Sequence, residues 1–236
     1  MNSKPNHFTD CRACVARGIS LFCGGVTDDE LNEFMEIKKI HNYDKHDIIF
    51  HEDTPSHGIY ILCSGRIKLT NSSRFGQQQI LKIVSAGEII EKNGLFNTGK
   101  HTVTAETLER SEVTFFERED FLTLLKNHSD LSIRLINVLS QELEKSQQRI
   151  NQLTFKDAKG RLALILLDLA KSYGVKNKDG IALGITLKRE EIAEMTGMTL
   201  ETAVRLLSQF KKDRVIKVEG KQIILINQQR LQTLSN

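Results

Sequence analysis

The stretch REEIAEMTGMTLETAVRLLS (189–208) leaves the chain little choice of local fold. Thr186 can cap a first helix that carries Ile192 and Ala193 on its inner side. Gly197 then breaks the helix where a tight turn needs positive φ, a conformation glycine adopts at no steric cost. Thr199 caps a second helix. Ala203, Leu206, Leu207 and Phe210 fall on its inner face, and Glu201, Val204, Arg205 and Ser208 on the opposite one. Small residues at 193 and 197 with apolar ones at 203 and 206 suit two helices crossing steeply at close range, a helix-turn-helix. The alternative is an ordinary helical hairpin with a solvated Glu–Arg pair.

The next segment, RVIKVEGKQIILI (214–226), alternates in polarity and turns at Gly220-Lys221, so it reads as a β-hairpin. Together the two segments predict a winged helix-turn-helix. Charge agrees: from Lys156 onward there are 15 Lys and Arg against 9 Asp and Glu, whereas the first 155 residues have 18 against 21. A basic module on an acidic body can track the phosphates of double-stranded DNA. Glu201 and Arg205 have the chemistry for base edges, carboxylate to cytosine N4 and guanidinium to guanine O6 and N7, and Val204 can touch a thymine methyl. Thr199, Thr202, Ser208, Lys188 and the wing's Lys217 and Lys221 are candidates for phosphate contacts.

Upstream, TDDELNEFMEI (27–37) opens with a capping residue and acids and predicts a short helix. From about Ile40 to Glu117 the period becomes two. DIIF, GIYILCSGRIKLT, QILKIV, TVTAET and EVTFFE are strand candidates separated by glycines, which argues for a compact β-barrel or roll. A long helix follows over 129–155. Ile136, Leu139, Leu143, Ser146, Ile150 and Leu153 repeat in 3-4 spacing, with Glu142, Glu144, Lys145, Gln147, Gln148 and Arg149 flanking them. So narrow a stripe favours a coiled-coil seam between two copies over a helix lying on its own barrel. Ser146 is the soft spot in that seam. A parallel homodimer would present two reading helices to adjacent major grooves. The expected fold class is therefore α+β, in four parts: a Cys-containing leader (1–26), a β-roll (27–126), a dimerisation helix (127–156) and a winged helix-turn-helix (157–236).

At 236 residues the chain can hold two cores. No window approaches the ~18 apolar residues of a membrane span. The start MNSKPNHFTDC has no hydrophobic region, so no signal peptide and a cytoplasmic location are expected. No Ser/His/Asp set or Walker loop is visible, and the seven His show no metal spacing. C-x-x-C can serve thiol–disulfide exchange, but the βαβ setting of such enzymes is missing. An enzyme is not expected.

A β-roll, a long helix and a winged helix-turn-helix in this order resemble the CRP/FNR superfamily of bacterial transcription regulators. The resemblance covers nearly the whole chain and is most specific in DIIFHEDTPSHGIYILCSGRIKL (47–69), AGEIIEKNGLF (86–96), DAKGRLALILLDLA (157–170) and TLETAVRLL (199–207). The last is similar to the family's E-x-x-x-R signature, carried by Glu201 and Arg205. The resemblance implies an inverted DNA repeat with TTGA-type half-sites and RNA polymerase as a partner. It also implies a place for a cyclic nucleotide, where a glutamate and an Arg-Ser pair hold ribose and phosphate. Here Lys92 and His101-Thr102 stand at those places. Without its guanidinium a buried cyclic phosphate would be left unpaired, so cyclic AMP is disfavoured.

All four cysteines, Cys11, Cys14, Cys23 and Cys63, lie in the first half, three of them in CRACVARGISLFC. Sets of four thiolates hold iron–sulfur clusters or zinc. The oxygen-sensing FNR branch is similar, with a cysteine trio in the leader and a fourth from the roll, which implies a 4Fe-4S cluster answering oxygen or nitric oxide. Two departures stand against it: the second gap is longer, and the branch's fourth cysteine comes from the last roll strand, where this chain has Thr114. Cys63 sits on an earlier strand and can instead point inward as a small apolar side chain. Leader thiols that are free or bind zinc, and a roll sensing a small organic acid, haem or nitric oxide, are the alternatives.

Overall fold

In the computed structural model, which describes residues 11–96 and 99–235, contacts divide the chain into two units that meet between Leu143 and Glu144. The first begins with three 3-10 turns, Cys11–Ala13, Val15–Gly18 and Cys23–Gly25. Helix α1 (Asp28–Ile37) follows, started by the predicted cap: Thr27 accepts from the Glu30 amide and Glu30 accepts in return from the Thr27 amide.

The roll is two four-stranded antiparallel sheets. One runs in the order β1 (Lys38–Tyr43), β8 (Ser111–Glu117), β3 (Gly58–Ser64), β6 (Ile89–Glu91), and the other β2 (Ile48–Phe50), β7 (Thr104–Thr107), β4 (Arg66–Ser72), β5 (Gln78–Ser85). Alternation along β3 divides its side chains between two cores. Leu62 joins Phe50, Ile67, Val84 and Val113 inside the roll. Ile59 and Ile61 face the other way, into a core built with Phe34 of α1 and Phe116 of β8. That outer core is closed by α3 (Arg118–Asn127) through Phe121 and Leu124 and by the start of α4 (Ser129–Phe155) through Leu131, Leu135 and Val138. The short helix α2 (Asn93–Phe96) lies between β6 and β7.

The long helix therefore has two apolar faces. One packs on the roll, as a helix lying on its own barrel would; the other carries the predicted seam. Ile136, Leu143, Ile150 and Leu153 are 57%, 61%, 63% and 40% exposed, Ser146 is exposed, and Leu139 rests partly on the roll core. Leu131, Leu135 and Val138 were not singled out by the seam pattern, and they are what fixes the helix to the roll.

The second unit contains α5 (Ala158–Tyr173), capped by Asp157, whose carboxylate accepts from the Gly160 amide at 2.7 Å. Strands β9 (Gly174–Asn177) and β10 (Gly180–Leu183) lead to α6 (Arg189–Thr196) and α7 (Leu200–Lys212). The wing strands β11 (Ile216–Glu219) and β12 (Gln222–Leu225) complete a sheet in the order β11-β12-β10-β9, and α8 (Gln228–Ser235) follows. Helix α6 starts later than predicted. Its cap position is Lys188, whose amide donates to Glu191, and Thr186 stays outside the helix. Among the described residues no helix is long and apolar enough to cross a membrane.

Candidate functional site

The turn between α6 and α7 has the required chemistry. Gly197 adopts φ 61°, ψ 46°, and its amide closes on the Ala193 carbonyl. Thr199 caps α7 by accepting from the Thr202 amide at 3.3 Å. Ala203, Leu206, Leu207 and Phe210 are buried, so Glu201, Val204, Arg205 and Ser208 are left on an exposed face. Leu200 is exposed at the front of the same helix. The wing forms as predicted, with Gly220 at φ 59° in the turn and Lys221 exposed beside it. Lys217 differs from the expectation. Its ammonium is held by Asp179 of the β9–β10 turn and by Glu219 at 2.8 Å, which raises its pKa and commits its charge within the protein. Lys188, at the start of α6, and Lys221 are exposed.

The second cluster is on the first unit. Cys11, Cys14, Cys23 and Cys63 all line one pocket, with Leu31 and Phe34 of α1 and Ile61, Thr114 and Phe116 of the roll. The leader is held there by Ser20, whose hydroxyl donates to the Gly87 carbonyl at 2.5 Å and accepts from the Cys23 amide at 2.9 Å. Phe22, 1% exposed, plugs the outer core against Phe34 and Phe121. Cys23 is thereby seated beside the residues that hold α4.

Cys63 does not point into the roll. It is the extra residue of a β-bulge: Leu62 opposes Val113 and Ser64 opposes Glu112, with no partner between. Its sulfur leans on the leader side of the sheet and lies 3.0 Å from the Thr114 hydroxyl. The thiol of Cys63 also hydrogen-bonds Cys14. That bond, helped by the amides of Ala16 and Arg17, pulls Cys14 down to about 6. Burial pushes Cys23 up to about 11, and Cys63 rises through its bond to Cys14 and through burial. Lys38 Nζ lies 3.5 Å from the Cys11 sulfur. No disulfide joins the four. Among the described residues, no three His, Cys, Asp or Glu side chains form a group able to hold a metal ion; the sulfurs ring the pocket instead.

A reactivity order follows for the metal-free protein. The thiolate is the nucleophile, and Cys14 carries it above about pH 6 while Cys23 stays protonated until about 11. Iodoacetamide should label Cys14 first, at a rate that climbs as pH passes through 6 and levels above it. Peptide mapping that finds Cys23 or Cys63 labelled first would overturn this electrostatic order.

At the end of the roll that carries Lys92 and His101, the buried Glu91 carboxylate pairs with His101 and accepts from the Thr102 amide at 3.0 Å and its hydroxyl at 3.2 Å. His101 stacks on Phe50 at 3.9 Å. Lys92 turns away to Glu142 of α4, which Lys82 also holds at 3.0 Å.

A model of the cyclic nucleotide-binding domain matches residues 40–128, and a model of the Crp-like helix-turn-helix domain matches residues 160–234. The chain is 30% identical over 207 residues to Electron transport regulator A of Shewanella oneidensis, covering 88% of this chain and 82% of that one. It is 27% identical over 183 residues to the CRP-like cAMP-activated global transcriptional regulator of Mycobacterium tuberculosis, covering 78% and 82%. Of solved structures, FixK2 from Bradyrhizobium japonicum is similar at TM-score 0.72 and 25% identity, covering 85% of this chain and 98% of its own. A CooA mutant from Carboxydothermus hydrogenoformans gives TM-score 0.72 and 28% identity, covering 85% and 89%.

Proposed function

Because the chain belongs to the CRP/FNR family of DNA-binding transcription regulators, and not to a family of enzymes, we propose that it is a cytoplasmic homodimer whose DNA binding is set by oxygen, redox state or nitric oxide through a 4Fe-4S cluster held by Cys11, Cys14, Cys23 and Cys63. The observation that carries the sensory part is the gathering of all four thiols around one pocket. Thr114 stands where the FNR branch has its fourth cysteine, and Cys63 reaches that spot from the neighbouring strand, 3.0 Å from the Thr114 hydroxyl. The donor set is soft and sulfur-only, the commonest kind for iron–sulfur clusters.

When bound, such a cluster supplies an oxidisable centre. The chain's own residues supply the coupling. Thiolate ligation ties the leader to β3, and the leader's Phe22 shares a core with Leu131, Leu135 and Val138 of α4. The Arg134 guanidinium of α4 packs directly on Gly25, so close that a Cβ there would lie 2.8 Å from it. Release of the leader therefore loosens the helix that carries the seam, and a loss of about 1–3 kcal/mol is enough to shift a dimer equilibrium five- to 150-fold.

Cyclic AMP does not suit the roll. An anionic phosphate at His101-Thr102 would meet the buried carboxylate of Glu91, and Lys92, in place of a ribose-binding glutamate, is engaged by Glu142. On the DNA side, Glu201 and Arg205 read a G·C pair in each TTGA-type half-site of an inverted repeat, and Val204 contacts a thymine methyl. Promoter output then goes through RNA polymerase.

The test is a visible spectrum with iron and acid-labile sulfide assays on protein purified without oxygen, then repeated in air. A charge-transfer band that bleaches as DNA binding changes supports the reading; a colourless, iron-free protein indifferent to air removes the cluster. Separately, Arg205→Ala should cost specific DNA binding ~1–3 kcal/mol while leaving non-specific binding nearly unchanged. Equal affinity for the two proteins on an inverted repeat would remove Arg205 from base reading.

A further inference from the structure

The carbonyl end of α6, immediately before the turn that aims α7, is held by two guanidinium groups. Arg149 of α4 donates from Nη2 to the Met195 carbonyl at 2.6 Å. Arg161 of α5 donates from Nε to the Thr196 carbonyl at 2.9 Å and from Nη1 to the Lys156 carbonyl at 2.9 Å. The last carbonyls of a helix have no partner of their own and carry the negative end of its dipole, so cations belong there. Arg149 is partly desolvated, and the Asp168 carboxylate of α5 acts on it electrostatically. It sits next to Ile150, and with Gln152 and the seam residue Leu153 it lines a small pocket against Met195 and Thr196.

We propose that Arg149 is a positioning residue for DNA reading: it fixes the end of α6 to the one turn of α4 that carries Ile150 and Leu153, so that packing of two copies along the seam sets the angle of α7. The inference rests on the dimer described above. Ile150, Leu153 and the Arg149 bond all belong to the second unit. When a partner copy presses on Ile150 and Leu153, the rotation of that turn is fixed, and the guanidinium passes the constraint across one bond to the helix whose end defines the turn. Without a partner the exposed turn is free to fray, and the grip on Met195 goes with it. Arg161 keeps its own carbonyls in either state, so the fold does not depend on Arg149.

The test uses the full-length protein in four forms: wild type, Arg149→Ala, Arg149→Lys and Ile150→Ala, with the double variant Arg149→Ala/Ile150→Ala as a fifth. Sedimentation measures the dimer, and fluorescence anisotropy measures binding to an inverted repeat. Losing a charge-assisted hydrogen bond at the turn is expected to weaken specific binding by about 10- to 100-fold. Sedimentation of Arg149→Ala should match wild type. Lysine, a compact point charge in place of a planar fork, should restore part of the loss. In the Ile150→Ala background, Arg149→Ala should add little, because the seam has already stopped setting the turn. Amide exchange over 195–199 should speed up in Arg149→Ala alone. An Arg149→Ala dimer that binds DNA as wild type does overturns the proposal. So do effects of the two single variants that simply add, since that is the signature of local stability without coupling. A wild-type protein that sediments only as a monomer removes the seam itself, a result distinct from a dimer indifferent to Arg149.

Discussion

Replacing Ile150 with glutamate should turn a dimer into a monomer at micromolar concentration and remove specific DNA binding with it. In one protomer Ile150 is 63% exposed, an unusual position for a β-branched apolar side chain, and Leu143 one heptad earlier is 61% exposed. Along the same stripe Leu139 is already half-committed to the roll and Ser146 contributes no apolar area. The seam therefore leans on Ile136, Leu143, Ile150 and Leu153. Burying one such side chain is worth roughly 1.5–3 kcal/mol, and a twofold interface counts it twice. A glutamate at 150 forfeits that and places two like charges opposite each other in a desolvated seam. The dimer constant should weaken by more than about 100-fold. Ser146→Leu should act in the other direction and tighten it. The measurement is sedimentation equilibrium of the three proteins, with anisotropy on an inverted repeat alongside. A glutamate variant that remains dimeric would mean that the exposed stripe of α4 is not the contact between copies.

The parts of this molecule that the sequence announced are those where one face is buried and the other wet. The long helix forms over Ser129–Phe155, close to its expected extent, α7 divides into an inner and an outer face as its spacing requires, and the wing turns at Gly220. What went unannounced is mostly edge. Strand β1, KKIHNY, closes one sheet as its outermost member and buries none of its residues fully, so its alternation carries no run of apolar residues to display it. Strand β9 is the same at the end of the other unit's sheet, and β6 is only three residues long. The second apolar face of α4 was hidden by the first: two stripes on one helix blur the period that either would show alone.

The site residues divide in the same way. Glu201, Val204, Arg205 and Ser208 follow from helical spacing, and the structure puts them where spacing does. Arg149 has no such signal. In sequence it is one more charge beside a seam, and only the arrival of the α6 carbonyls shows what it holds. Lys217 is the converse: a wing lysine by position, but neutralised by Asp179 from a hairpin that the sequence did not reveal.

Cys63 is the sharpest case, because its direction depends on a single inserted residue. Strict alternation and a β-bulge give the same sequence, but only the strand pairing shows that Cys63 has no partner between Leu62 and Ser64. The bulge turns its sulfur onto Thr114 and toward Cys14, away from the interior of the roll. Cys63→Ala should therefore abolish the visible band and the iron content of anaerobically purified protein, since three thiolates leave one corner of the cluster without a protein ligand. The fold should survive, because the partly buried thiol at the bulge belongs to neither apolar core. Adding Thr114→Cys to Cys63→Ala should bring the band back, as the Thr114 hydroxyl lies 3.0 Å from the Cys63 sulfur and a sulfur at 114 would face the same pocket. Cys63→Ser serves as a further check: it keeps the hydrogen bond to Thr114 but offers a harder oxygen donor, so it should retain the fold and bind iron poorly. A Cys63→Ala protein that keeps full colour and iron would take Cys63 out of the ligand set. A folded double variant that stays colourless would show that the fourth ligand must come from the bulge itself, and that the second thiol position on β8 cannot replace it.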